Sequence, residues 1–162
     1  MGSRSQITLP PTRILFVCVE NANRSQMAEA FARRHGGGRV EALSAGSRPS
    51  GSVSPRAIEF IREVGYDLSR HESKSLDQFN GTTVDVAVTM GCGDACPLVR
   101  ARRREEWNIP DPRELPPDEF RKVRDLIESK VKALLASLQR DRDVAGEVEE
   151  PGVRRPDANE PP

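Results

Sequence analysis

Aromatic side chains are scarce, with five Phe, one Tyr and one Trp making up 4% of 162 residues. A site that grips a ring between aromatic walls is poorly supplied, because stacking and ring burial carry much of such binding. Neither sign of charge is in excess: Lys+Arg and Asp+Glu both number 25 and the formal charge is zero. No overall field recruits nucleic acid or membrane, so neither partner is expected and any preference for anions must be local. Long apolar runs are missing. The stretch from Ile14 to Val19 is far too short to span a bilayer, and residues 1–12 lack the apolar centre of a secretory peptide. Cysteine is limited to three residues. Without a signal-like segment they point to a reducing compartment, where grouped thiols are catalytic, redox-active or metal-binding, and a cytoplasmic location is expected.

The length fits one domain able to bury a core without staples. Residues 1–11 read as a flexible arm ending in Pro10-Pro11, residues 12–138 as the folded domain, and residues 139–162, charged and rich in proline, as a disordered tail. Within the domain, an apolar run to Val19 is followed by a short loop and a helical pattern (Met27, Ala30, Phe31) that stops at Gly36-Gly37-Gly38. His35 at that terminus complements the helix dipole. A second strand is expected over Val40–Gly46 and a helix over 55–64, opened by Ser54-Pro55 and stopped by Gly65. A third strand is expected over 82–90, with an apolar end suited to a parallel strand covered on both faces. The basic run Arg100 to Arg104 reads as a solvated face, and the longest amphipathic helix runs from Phe120 to Leu138.

The chemistry concentrates between Cys18 and Ser25. A loop of five residues, Val19, Glu20, Asn21, Ala22 and Asn23, leads into a helix whose first N–H groups and positive dipole end converge on one point, which suits a tetrahedral oxyanion. Arg24 adds a bidentate fork, and the helix end, Arg24 and the Ser25 hydroxyl all favour thiolate at Cys18. Asn21 tolerates left-handed backbone and can hold the loop by side-chain hydrogen bonds. A buried cysteine at a strand end is otherwise just a small hydrophobe. The strand before the loop and the helix after it favour the catalytic reading.

Cys18-Val-Glu-Asn-Ala-Asn-Arg-Ser-Gln-Met-Ala-Glu resembles the anion loop shared by low-molecular-weight protein tyrosine phosphatases and the arsenate reductases built on their fold. The resemblance covers about residues 12–138. It implies an α/β fold, a three-layer α/β/α arrangement with a four-stranded parallel sheet in flavodoxin-like order. It implies a short last strand at Glu106–Ile109 and an Asp-Pro loop in which Asp111 is the general acid facing Cys18; from composition alone Asp111-Pro112 is a turn. Some reductases of this family hold potassium beside the loop. Asn21, Glu29 and Ser44 match ligand positions there, but Lys74 replaces a carboxylate at the fourth, so its ammonium is expected to pair with Glu29 and no metal is expected. No cofactor is implied.

Cys92 and Cys96 decide between the two chemistries, since a phosphatase of this fold needs only Cys18, the loop and an acid. Structural zinc is disfavoured because Cys-x3-Cys finds only His71 as an additional plausible ligand. Three intervening residues on a Gly-containing loop let the two α-carbons approach within the roughly 4.4–6.8 Å of a disulfide. The segment Thr89 to Pro97 and Gln26 are closer to the reductases. The expected reaction is reduction of arsenate to arsenite, in which Cys18 attacks the oxyanion, Asp111 protonates the leaving oxygen, and Cys92 and then Cys96 pass the disulfide outward to thioredoxin or another thiol reductant. The resemblance departs in the three-residue gap between Cys92 and Cys96, where better-known relatives have six, and in Glu20, which is expected to face solvent. The alternative is a phosphatase hydrolysing phosphotyrosine through a Cys18 phosphocysteine; Tyr66 and Trp107 offer it little aromatic wall. A non-enzymatic oxyanion or redox sensor is a third class. A monomer is expected.

Overall fold

A computed structural model describes residues 10–91 and 99–148. Strand β1 (Thr12–Cys18) leads into helix α1 (Arg24–Gly36), β2 (Val40–Gly46), α2 (Pro55–Arg62), β3 (Thr83–Thr89), β4 (Arg100–Glu106) and α3 (Pro117–Val148). All four strands are parallel, in the order β2-β1-β3-β4, so the chain crosses over between β2 and β3 and puts β1 and β3 at the centre. The four-stranded parallel sheet and its flavodoxin-like order are as expected. Central parallel strands read as continuous apolar runs because both faces are covered, and Ile14, Leu15, Phe16 and Val17 are fully buried.

Side chains alternate across β1 and sort the core into two clusters. Ile14, Phe16 and Cys18 face α1, α2 and α3, packing with Phe31, Ile61, Phe120 and Ile127. Leu15 and Val17 face the other way, where Leu76, Phe79 and Val99 cover them. Among the described residues that second layer is a single helical turn, Leu76–Phe79, not a long helix.

Several boundaries differ from the sequence reading. The expected last strand at Glu106–Ile109 is instead β4 at Arg100–Glu106, formed by the basic run that reads as a solvated face. Among the described residues β4 pairs only with β3 and lies at the sheet edge, where charged side chains disfavour pairing with other chains. Its half-buried positions are satisfied by polar contacts: Arg103 Nη1 donates to Ser137 Oγ (3.1 Å) and its Nε to Glu105 Oε2 (2.9 Å). The segment expected as strand continues as a loop with Trp107 and Ile109 buried. Helix α2 stops at Arg62, and a turn with Gly65 at φ 92° follows.

The expected disordered tail from Gln139 is helical in its first ten residues, because α3 continues to Val148. Gln139 to Ala145 holds no proline or glycine and several good helix formers. Gln139 Nε2 donates to Asp143 Oδ1 (2.8 Å), and Arg142 Nη1 donates to the Pro10 carbonyl (2.8 Å), tying α3 to the start of β1. The rest of the expected tail and residues 1–9 of the expected arm lie outside the described residues.

Candidate active site

β1 delivers Cys18 to the carboxyl edge of the sheet, buried and unbridged, and α1 begins at Arg24. In open α/β sheets that edge is where ligands bind. Between them the chain turns sharply through Asn21 at φ 52°, the left-handed conformation that asparagine tolerates. The loop carbonyls all face outward. Those of Cys18, Val19, Glu20 and Ala22 accept from Ser47, Arg48, Ser50 and Ser54, and that of Asn23 from Met27. That of Asn21 accepts from Gln26 Nε2. With the carbonyls engaged outside the loop, the N–H groups of residues 20–25 remain available to an anion. Among the described residues they have no protein acceptor. Gly46 makes this possible: a Cβ there would sit 2.6 Å from the Val19 carbonyl oxygen and 2.9 Å from the Asn21 nitrogen.

The result is a cavity of about 160 Å³ lined by Cys18, Val19, Glu20, Ala22, Asn23, Arg24 and Asp111. Asn21 and Ser25, both fully buried, lie behind this lining and shape it. Asn23 stands at the N-cap of α1 without capping it, and its buried Oδ1 has no protein partner. Arg24 is 12% exposed; its Nη1 donates to the Ile109 carbonyl (3.2 Å) and its Nη2 lies 3.8 Å from Asp111 Oδ2. The structure thus brings Asp111 to Cys18's cavity. Asp111 is half exposed, and its Oδ1 accepts the Arg113 backbone N–H (3.1 Å).

A set of hydrogen bonds with a fixed direction ends on the sulfur. The Lys74 backbone N–H donates to Asn21 Oδ1 (2.7 Å), which fixes that amide so that Asn21 Nδ2 donates to Ser25 Oγ (2.8 Å). The Ser25 hydroxyl, accepting from Asn21 Nδ2 with one of its two lone pairs, lies 2.9 Å from Cys18 Sγ, and toward a thiolate, which has no proton of its own, it is the donor. Gln26 Nε2 faces the carbonyls of Asn21 and Glu72 and Asn21 Oδ1, so its Oε1 accepts from His71 Nδ1 (3.0 Å). His71 Nε2 is left to accept from the Tyr66 hydroxyl (2.8 Å). Burial pushes the His71 imidazolium down in pKa and, against the opposing pull of Glu29, Arg33 and Lys74 add to it, so the ring is neutral as this pattern requires. Burial pushes Tyr66 up, which keeps it a donor.

Glu29, 3% exposed, closes the back of the loop. It accepts from Ser44 Oγ (2.5 Å) and Arg33 Nε (2.8 Å), and Lys74 Nζ lies 3.8 Å from its Oε1, 3.5 Å from Ser44 Oγ and 2.9 Å from the Glu72 carbonyl. The expected approach of Lys74 to Glu29 is present. A monovalent cation would seek these same oxygens, and an ammonium already faces them.

Cys92 and Cys96 lie outside the described residues. The stretch that leads to them ends at Gly91, φ 91°, where a Cβ would come within 2.8 Å of Arg24 Nη1. Three contributors escape the sequence reading: Gly91, which leaves room for Arg24; Arg56; and Arg113. Arg56 of α2 donates to the carbonyls of Pro112 (3.4 Å), Arg113 (3.0 Å) and Leu115 (2.6 Å) while its guanidinium lies 4.9 Å from the centre of the Phe120 ring. It holds the loop that carries Asp111. Glu20, expected to face solvent, lines the cavity and pairs with Arg113 (3.0 Å). His35, expected as a helix-end cation, meets Glu128 Oε2 at 2.8 Å.

Comparison with known proteins agrees with this geometry. The family described as low molecular weight phosphotyrosine protein phosphatase matches residues 13–144. A glutaredoxin arsenate reductase from Synechocystis sp. is 36% identical over 129 residues, covering 78% of this chain and 98% of the relative. A solved arsenate reductase in its phosphate-binding state superposes with a TM-score of 0.70 at 34% identity, covering 78% of this chain and 98% of the other. A thioredoxin-dependent arsenate reductase from Corynebacterium glutamicum gives 0.68 at 29% identity, over 83% of this chain and 65% of that one. With its anion loop between β1 and α1, and with these relatives, the chain belongs to the low molecular weight phosphotyrosine protein phosphatase family.

Proposed function

We infer that this protein is an enzyme that reduces arsenate to arsenite, using an oxyanion as substrate and a thiol as reductant. The observation that carries the reading is a buried Cys18 sulfur, with the Ser25 hydroxyl 2.9 Å away, in a small cavity lined by Arg24, Asp111 and a loop whose N–H groups have no protein acceptor among the described residues. Arsenate has the shape and charge of phosphate, so this cradle suits it.

The site residues have these roles. Backbone N–H groups of the loop from Val19 to Ser25, with the Arg24 guanidinium, hold the oxyanion over Cys18. The Cys18 sulfur attacks arsenic, an oxygen leaves as water with a proton from Asp111, and a sulfur–arsenic bond forms. Cys92 then attacks the Cys18 sulfur; the pair of electrons in the sulfur–arsenic bond stays on arsenic, which leaves as arsenite, and a Cys18–Cys92 disulfide forms. Cys96 attacks Cys92, releasing Cys18 and leaving a Cys92–Cys96 disulfide, which two thiols of thioredoxin or another small reductant reduce. The Ser25 hydroxyl serves that release too, since a donor aimed at a sulfur helps it depart with its charge. No resident cofactor enters these steps. The further parts of the proposal are a cytoplasmic location, a monomeric state, and work without nucleic acid or lipid; the formal charge is zero, and no helix among the described residues is long and apolar enough to cross a membrane.

Hydrolysis of aryl phosphates is the second reading, favoured by the family that matches. It would proceed through a Cys18 phosphocysteine with the same loop and acid. The test is thioredoxin-coupled NADPH consumption that depends on arsenate. Loss of that signal in Cys92→Ser and in Cys96→Ser is expected, whereas phosphotyrosine turnover that is robust and indifferent to both substitutions overturns the reductase reading.

A further inference from the structure

The cavity that should welcome an anion is lined by two carboxylates, Glu20 and Asp111. Like charges a few ångströms apart repel strongly where the surroundings are less polarisable than water, so a bare Glu20 within the loop opposes an entering oxyanion. Asp111 has the Arg24 guanidinium 3.8 Å away. Glu20 is answered from across the cavity mouth: Arg113 Nη1 donates to its Oε2 at 3.0 Å.

Arg113 is projected from a fixed base. Its backbone N–H binds Asp111 Oδ1, its carbonyl accepts from Arg56, and Arg56 also holds the carbonyls on either side. The guanidinium itself stays half exposed, as does Glu20, with side-chain exposures of 52% and 38%. An ion pair so exposed contributes little to folding, and its effect is felt instead by charges that approach it. The pair joins the anion loop to the loop of the acid and cancels a charge that the oxyanion would otherwise meet.

We propose that Arg113, by neutralising Glu20 at the cavity mouth, sets the affinity of this site for tetrahedral oxyanions. The proposal rests on the cavity over Cys18 being the oxyanion site, and it does not depend on the thiol relay.

The experiment follows alkylation of Cys18 by iodoacetamide in the reduced full chain, read by peptide mass spectrometry, at increasing inorganic phosphate. It needs neither reductant nor turnover. Phosphate protects the wild type. R113A raises the half-protecting concentration about tenfold at low ionic strength and less at about 0.5 M salt, where exposed charges are screened. Adding E20Q to R113A restores protection to within about twofold of wild type, because the charge to be neutralised is gone, and R113K restores part of it. That rescue separates neutralisation from a merely structural role, which E20Q would not repair. An R113A protein protected like wild type, or a double variant as weak as R113A alone, overturns the proposal while leaving the oxyanion site intact. A wild type that phosphate does not protect overturns both.

Discussion

The Ser25 hydroxyl stands 2.9 Å from the Cys18 sulfur and accepts from Asn21 Nδ2 at 2.8 Å, which leaves its proton free to turn to the sulfur, the only direction open when that sulfur is a thiolate. The nucleophile is therefore held by a donor whose direction is set by a backbone N–H on a different segment, that of Lys74. A hydrogen bond to a charged group contributes about 1.5–3 kcal/mol.

Ser25→Ala removes that donor while leaving the cavity lining in place. Alkylation of Cys18 by iodoacetamide is expected to slow by about tenfold or more. A change of less than about twofold would show that the helix end and Arg24 suffice without the hydroxyl.

Gly91 leaves room for the Arg24 guanidinium, and its φ of 91° is costly for any other residue. Gly91→Ala should weaken phosphate protection of Cys18 by about tenfold and lower stability by about 1–2 kcal/mol in urea unfolding. Unchanged protection in the variant would mean that Arg24 reaches the oxyanion from a different position.

The anion loop was legible because its signals are local. An apolar strand, a cysteine, small or polar residues, an arginine and a helical pattern follow one another within a few turns of chain. The left-handed Asn21, the parallel sheet and the approach of Lys74 to Glu29 followed from that stretch and its resemblance. What stayed hidden depends on partners far along the chain. Arg56 is one more charged residue at the start of α2 until the fold lays it beneath Pro112 to Leu115. Arg113 acquires meaning only when Glu20 is opposite. β4 is hidden in the sequence since an edge strand built from Arg and Glu has no apolar period to read, and Gln139 to Val148 looks like tail because charge masks good helix propensity.

His71 supplies a pH dependence. Burial holds its pKa below the ordinary 6.5, so in acid the unfolded chain binds a proton that the folded chain refuses. Stability is complete above that value and falls as pH drops through it toward the lower folded value. The urea midpoint should decline between about pH 7.5 and 5.5, and less steeply in His71→Asn, whose amide can still donate toward Gln26. His35 is common to both proteins and cancels in the difference. Parallel curves for the two would remove His71 from the account.

Lys74 stands where a monovalent cation would find Glu29, Ser44 and the Glu72 carbonyl. The wild type should melt at the same temperature in potassium and in sodium chloride. Lys74→Asp replaces the ammonium with a carboxylate and should gain about 2–4 °C from potassium over sodium, as a ligand bound only by the folded state raises the midpoint. A potassium response in the wild type would contradict the assigned place of the ammonium.

The most direct test of the relay is to map the disulfides by mass spectrometry after one equivalent of arsenate has reacted with the reduced chain. Release of arsenite with a Cys92–Cys96 disulfide and free Cys18 in the wild type, and a trapped Cys18–Cys92 disulfide in Cys96→Ser, is the predicted result. Arsenite released while Cys92 and Cys96 both remain thiols, or no arsenite at all, would contradict it.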